Sequence, residues 1–141
     1  MSALNPDPCP FCSVTADRML DQNENAFVVL DAYPVSPGHS LVISRRHISD
    51  LFDLRAPEIG DILELVRSTR ERIDRTLQPS GYNIGVNVGR DAGQTVMHVH
   101  VHVIPRYPGD SEDPTGGVRG VIAGKARYVT TPAPRDGDRD E

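Results

Sequence analysis

Short apolar runs separated by proline- and glycine-rich turns dominate the first third of the chain. The run A-F-V-V-L-D over 26–31 predicts a strand, and S-L-V-I-S over 40–44 predicts another. Pro34, Pro37 and Gly38 supply turn chemistry between them, so the two runs predict a hairpin. The period then changes. From Pro57 to Leu77, the residues Ile59, Ile62, Leu63, Val66, Ile73 and Leu77 fall on one stripe at mostly three- and four-residue steps, which predicts a long amphipathic helix. Pro57 suits its first position, and Glu58 and Asp61 suit the positive end of its dipole. Arg67, Arg70, Arg72 and Arg75 crowd the end where cations are favoured. Gln78-Pro79-Ser80-Gly81 stops it. Tyr82–Val88 predicts a third strand, Gly89–Gly93 a turn, and Val96–Ile104 a fourth strand, the most regular of the set. Residues 1–25 are polar and proline-rich, and the sequence beyond Pro105 is loop-like. The end, P-A-P-R-D-G-D-R-D-E, lacks large apolar side chains and predicts a disordered tail.

A length of 141 residues suits one domain. The net charge of −5 argues against a general binder of polymeric nucleic acid, which needs a positive surface, but leaves room for a local basic spot facing a small nucleotide. No apolar run approaches the ~20 residues of a membrane span. The N-terminus has no basic region followed by an apolar stretch, so the expected location is cytoplasmic. There, the two cysteines of Cys9-Pro10-Phe11-Cys12 read as a metal or redox pair rather than a structural disulfide.

The chemistry concentrates in histidines. His98, His100 and His102 alternate with Val99, Val101 and Val103, and a strand puts the valines on one face and the imidazoles on the other. The valine face explains itself as core, whereas three polar rings in a row suit neither a core nor an ordinary solvent face. Two readings remain open. Neighbouring histidines, roughly 6.5–7 Å apart, could converge on one zinc ion. Alternatively the row divides into roles, with His100 as a nucleophile toward phosphorus and its neighbours positioning groups or moving protons.

The run H-V-H-V-H-V-I (98–104) resembles the signature of the histidine triad family. D-A-Y-P-V-S-P-G-H-S-L-V-I-S-R-R-H-I (31–48) is similar to that family's first hairpin, and G-Y-N-I-G-V-N-V-G-R-D-A-G-Q-T-V-M-H-V-H-V-H (81–102) to its last. The likeness covers residues 9–107. It implies an α+β fold: an antiparallel sheet of about five strands, one long helix and short N-terminal helical turns. The implied organisation is an N-terminal segment (1–25), a core (26–107), a C-terminal extension (108–131) and a tail (132–141).

The resemblance also implies hydrolysis at the α-phosphate of dinucleoside polyphosphates, or of nucleoside phosphoramidates, through a covalent nucleotidyl-histidine. Carried over by position, His100 would attack phosphorus, and His102 would contact the phosphate and help the leaving group. His39 would complete the cluster, and His98 would orient its neighbour through its backbone carbonyl. Asp31 would accept from the ribose hydroxyls, while Asn87, Gln94 and Thr95 would contact phosphate oxygens. Some family members hold zinc with a cysteine pair and two histidines, and the matching positions are Cys9, Cys12, His47 and His98. Such a closed set would be structural, with no cofactor needed for the chemistry. A homodimer joined through the helix and the Tyr82 strand is a further implication. The I-P-R-Y-P-G-D run after the triad resembles the diadenosine polyphosphate hydrolase branch, whereas the Asn87 hairpin and the cysteine pair resemble the phosphoramidase branch. In the stretch 114–128, Arg119, Lys125 and Arg127 are candidates to reach a polyphosphate. A binding module with little turnover and a zinc-dependent hydrolase are the alternative functions.

Overall fold

The hairpin predicted from the two apolar runs forms the centre of an antiparallel sheet. The structure is a computed structural model that describes residues 8–128. Its strands are β1 (Asp21–Gln22), β2 (Ala26–Leu30), β3 (Ser40–Ser44), β4 (Gly81–Gly85) and β5 (His100–Arg106), and its helix is α1 (Ala56–Thr76). The sheet order is β1-β2-β3-β5-β4, with every neighbour antiparallel. The N-terminal part also holds the expected helical turn, at Ala16–Arg18.

Both faces of the central strands are covered, which is why β2 and β3 read as continuous apolar runs rather than as alternations. On one face Val28, Val42, Val101 and Val103 meet Ile62, Leu65, Val66 and Ile73 of α1. Val28, Val42 and Val103 are completely buried, and burial of each such side chain contributes about 1.5–3 kcal/mol. On the opposite face Phe27, Val29, Leu41 and Ile43 are packed by Phe11, Val14 and Met19 from the N-terminal segment. The register sets Leu41 opposite His102 and Ile43 opposite His100. The histidine face of β5 therefore continues this second, smaller cluster.

Four details differ from the sequence reading. β1 pairs with β2 inside a stretch read as polar and irregular, because two residues suffice to close the sheet edge. The third strand ends at Gly85 rather than Val88. The fourth begins at His100 rather than Val96. Val99 donates to the carbonyl of Ile48 and accepts from Ser44 N–H, pairing with the loop after β3 outside the regular ladder. In α1 the buried stripe is Glu58, Ile62, Leu65, Val66, Thr69 and Ile73, whereas Leu63 is 63% exposed.

Glu58 is the unexpected member of that stripe. Its carboxylate accepts from Arg46 Nη2 (2.8 Å) and Nε (3.1 Å) and from the backbone N–H of Arg55 (3.0 Å) at the helix start. Bonds from Arg46 and Arg55 hold its pKa at about 2. The same Arg46 precedes His47 in the chain, so the clamp fixes the loop that presents that histidine.

From Pro108 on, the described residues, to Tyr128, belong to a second compact unit. Within it Arg127 pairs with Asp113, and the Arg119 guanidinium lies over the Tyr128 ring at 5.1 Å. Gly116, at φ 86°, has no room for a side chain, since a Cβ there would sit 1.7 Å from the Ala126 carbonyl oxygen. The predicted tail, 132–141, lies outside the described residues. No helix among the described residues is long and apolar enough to cross a membrane.

Candidate active site

The register of β5 decides what each imidazole can do. His100 Nδ1 lies 2.7 Å from the carbonyl oxygen of His98. A carbonyl only accepts, so Nδ1 carries the proton and Nε2 keeps its lone pair. The ring is buried against Phe11, whose centroid is 4.9 Å away in an edge contact. The backbone carbonyl of His98 thus holds the His100 ring in this tautomer.

A second chain of hydrogen bonds fixes two more rings. The Val35 N–H donates to His39 Nδ1 at 3.1 Å, which leaves the His39 proton on Nε2. That nitrogen lies 3.0 Å from His102 Nδ1, which must therefore accept, so the His102 proton sits on Nε2. Asp31 Oδ2 stands 3.4 Å from His39 Nε2 and 3.9 Å from His102 Nδ1. Burial lowers the pKa of both imidazoles, against the opposing pull of Asp31, so both are held neutral. Asp31, His39 and His102 bring three potential metal ligands together. The tautomers argue against an ion there, because His39 Nε2 is a donor and its Nδ1 is already an acceptor. The trio reads as a proton-bearing relay.

The remaining histidine turns elsewhere. His98 is fully buried, and its Nε2–H donates to the Ser44 carbonyl at 2.6 Å, which leaves Nδ1 as a lone pair. Nδ1 faces Cys9 Sγ (3.5 Å), Cys12 Sγ (3.6 Å) and His47 Nδ1 (3.2 Å), and Cys12 Sγ lies 3.1 Å from His47 Nδ1. A tetrahedral zinc ion, with bonds of about 2.0–2.3 Å, sets its ligands about 3.3–3.8 Å apart. Two sulfurs and two imidazole nitrogens at these separations, one imidazole already oriented by a carbonyl, fit such an ion and could hold it.

The pocket in front of β5 has a volume of about 530 Å³ and is bounded by His39, His100, His102, Asp31, Asn87 and Thr95, among others. Gly93, at φ 94°, closes the turn that carries Thr95 to it. Gln94 does not reach the pocket, which corrects the expectation of a phosphate contact. It is buried, its Oε1 accepts from Gly89 N–H, and its Nε2 donates to the carbonyls of Ser49 and Val96. A side chain so engaged staples the turn and has no N–H donor left for a phosphate oxygen. His98 is likewise absent from the pocket lining, because its ring points at the cysteines. Phe11 and Arg18 also line the pocket, and neither is among the residues that the sequence marks as candidates. Phe11 could have been suspected, since it lies inside the Cys-x-x-Cys turn, but no local pattern marks Arg18.

The HIT domain family profile matches residues 13–109. An uncharacterized HIT-like protein of Mycoplasma genitalium is 36% identical over 103 residues, covering 70% of this chain and 73% of its own. The asymmetrical bis(5'-nucleosyl)-tetraphosphatase of Schizosaccharomyces pombe is 47% identical over 85 residues, covering 60% of this chain. That match spans only 46% of the relative's length. Among solved structures, a HIT family protein from Bacillus anthracis superposes with a TM-score of 0.68 at 34% identity, over 74% of this chain and 77% of that one. A Zn-bound histidine triad family protein from Mycobacterium smegmatis gives 0.67 at 32% identity, over 73% and 78%.

Proposed function

The chain belongs to the HIT domain family, and on that premise we propose that it is a nucleotidyl hydrolase. It cleaves dinucleoside polyphosphates or nucleoside phosphoramidates at the α-phosphate. The observation that carries this reading is the His100 tautomer: with Nδ1–H bound to the His98 carbonyl, Nε2 is the free lone pair in a pocket of nucleotide size. Nε2 attacks the α-phosphorus, an N–P bond forms, and the bond to the leaving group breaks with its electron pair. His102 Nε2–H donates to a phosphoryl oxygen, its direction fixed by His39. Water then attacks phosphorus and releases a proton to solvent, the N–P electron pair returns to Nε2, and a nucleoside monophosphate leaves. Asn87 and Thr95 contact the phosphate and Asp31 the ribose hydroxyls, in keeping with their places at the pocket.

Cys9, Cys12, His47 and His98 hold a structural zinc ion in this reading, which the donor set and its spacing support. The ion ties the N-terminal segment to the sheet and takes no part in the chemistry. The similarity to the fission yeast tetraphosphatase favours a polyphosphate substrate, although the chain spans under half of that enzyme. A homodimer through α1 and β4 is supported by the exposed apolar side chains of Leu63 and Ile84.

Mass spectrometry of the protein mixed with diadenosine tetraphosphate and with adenosine phosphoramidate tests the proposal. The expected result is a nucleotidyl adduct on His100 and release of AMP. Turnover that survives intact in His100→Ala would overturn it.

A further inference from the structure

The pocket lining combines polar and apolar side chains. His100, His102, Asn87 and Thr95 are polar members, among which the proposed phosphate chemistry takes place. Phe11, Val14, Val29 and Leu41 are apolar members, part of one packed cluster, and such side chains suit the face of a flat ring. Arg18 is the single lysine or arginine among the described residues that line this pocket.

Its backbone is well anchored. The Arg18 N–H donates to the Thr15 carbonyl at 3.0 Å and the Met19 N–H to that of Ala16 at 3.1 Å. Met19 packs into the apolar cluster, and the Leu20 N–H donates to Val28 of β2 at 2.8 Å. Arg18 is therefore carried by the same segment that supplies Val14 to that cluster. Its exposed guanidinium has neither an ion pair nor a hydrogen bond among the described residues. Arg45, Arg46, Arg55 and Arg72 are all engaged by protein oxygens. A guanidinium that lines the same pocket as these apolar side chains, and that no protein oxygen among the described residues engages, is free to read the edge of a ring bound against them.

A guanidinium presents parallel N–H donors to two adjacent acceptors. A 6-oxopurine offers such a pair in O6 and N7. A 6-aminopurine puts an N–H donor where O6 would be, so only one acceptor remains. We propose that Arg18 is a specificity-determining residue that pairs with O6 and N7 of a 6-oxopurine, so that the site favours guanosine over adenosine nucleotides. This assignment rests on the reading of the pocket as a nucleotidyl site.

The test uses the full chain as wild type, Arg18→Gln and Arg18→Lys. Turnover is measured on guanosine and adenosine 5'-phosphoramidates, and binding of GMP and AMP by calorimetry. Wild type is expected to prefer guanosine by about tenfold or more in kcat/KM and in affinity. Arg18→Gln should erase that preference by raising KM for guanosine alone, and Arg18→Lys should keep only part of it, since an ammonium has no fork. Equal losses for both bases in the variants, the signature of a phosphate contact, would overturn the proposal, as would equal treatment of both bases by wild type. The two readings fail separately. A GMP preference lost in Arg18→Gln without turnover supports Arg18 and refutes the hydrolase, whereas turnover indifferent to the base does the reverse. Absence of both binding and turnover overturns both.

Discussion

Replacing Glu58 with glutamine tests whether a buried carboxylate sets both the stability of the sheet-helix layer and the placement of His47. The side chain is 4% exposed and accepts two bonds from Arg46 and two from Arg55. Its pKa falls from 4.5 to about 2, because the Arg46 side chain and the Arg55 backbone bond the charged form. A folded-state pKa below the unfolded one means stability that is fully present above about pH 4.5 and is lost as pH falls toward 2. That interval corresponds to about 3 kcal/mol as an upper bound. Solvent screens the pair, because the Arg46 and Arg55 side chains are 40% and 73% exposed, and about 1–2 kcal/mol remains. Urea unfolding of wild type and Glu58→Gln at pH 7 should differ by this amount, with the difference shrinking steadily between pH 4.5 and pH 3. Metal affinity of the variant should fall as well, since Arg46 also donates to the Asp53 carbonyl and steadies the loop that ends in His47. Equal stabilities at pH 7, or a difference that does not change with pH, would refute the argument.

Truncating His100 to alanine should lower kcat below detection while GMP and AMP still bind, as calorimetry can check; unchanged kcat contradicts the proposed nucleophile. For the proposed metal clip, Cys12→Ser should release zinc measurable with a colorimetric chelator and lower the unfolding temperature, whereas wild-type protein that contains no metal after growth in zinc would count against the clip. The acid limb of kcat/KM should fall below the ordinary imidazole value of 6.5, because burial keeps His39 and His102 neutral to lower pH. Asp31→Asn should push that limb lower still, since the Asp31 charge opposes the effect, and a limb above 6.5 in wild type would contradict the relay. Light scattering should give a particle of twice 15.4 kDa, which a monomer would disprove.

Local pattern determined a large part of this molecule. Two apolar runs around a proline-glycine turn specify the β2–β3 hairpin, because strand pairing across a short turn needs no distant partner. The 3.6-residue period specifies α1 to within a residue at each end. The two-residue period sets His100 and His102 opposite Val101 and Val103, a consequence of the pleat alone. Family likeness in the same segments brought Asp31 and His39 into the cluster around His102.

Tertiary structure decided what alternation leaves open. The proton positions on His39, His100 and His102 follow from a backbone N–H and a carbonyl that only folding brings to them. His98 belongs to the same row but faces Cys9, eighty-nine residues away in sequence, because its Nε2 is held by Ser44. Gln94 and Thr95 are neighbours in the chain, yet one staples the turn and the other faces the pocket. Glu58 reads as a surface charge at a helix start until Arg46 arrives to bury it. Each of these depends on which donor meets which acceptor across the fold. A periodic pattern fixes the face on which a side chain stands, and only long-range packing fixes what it meets there.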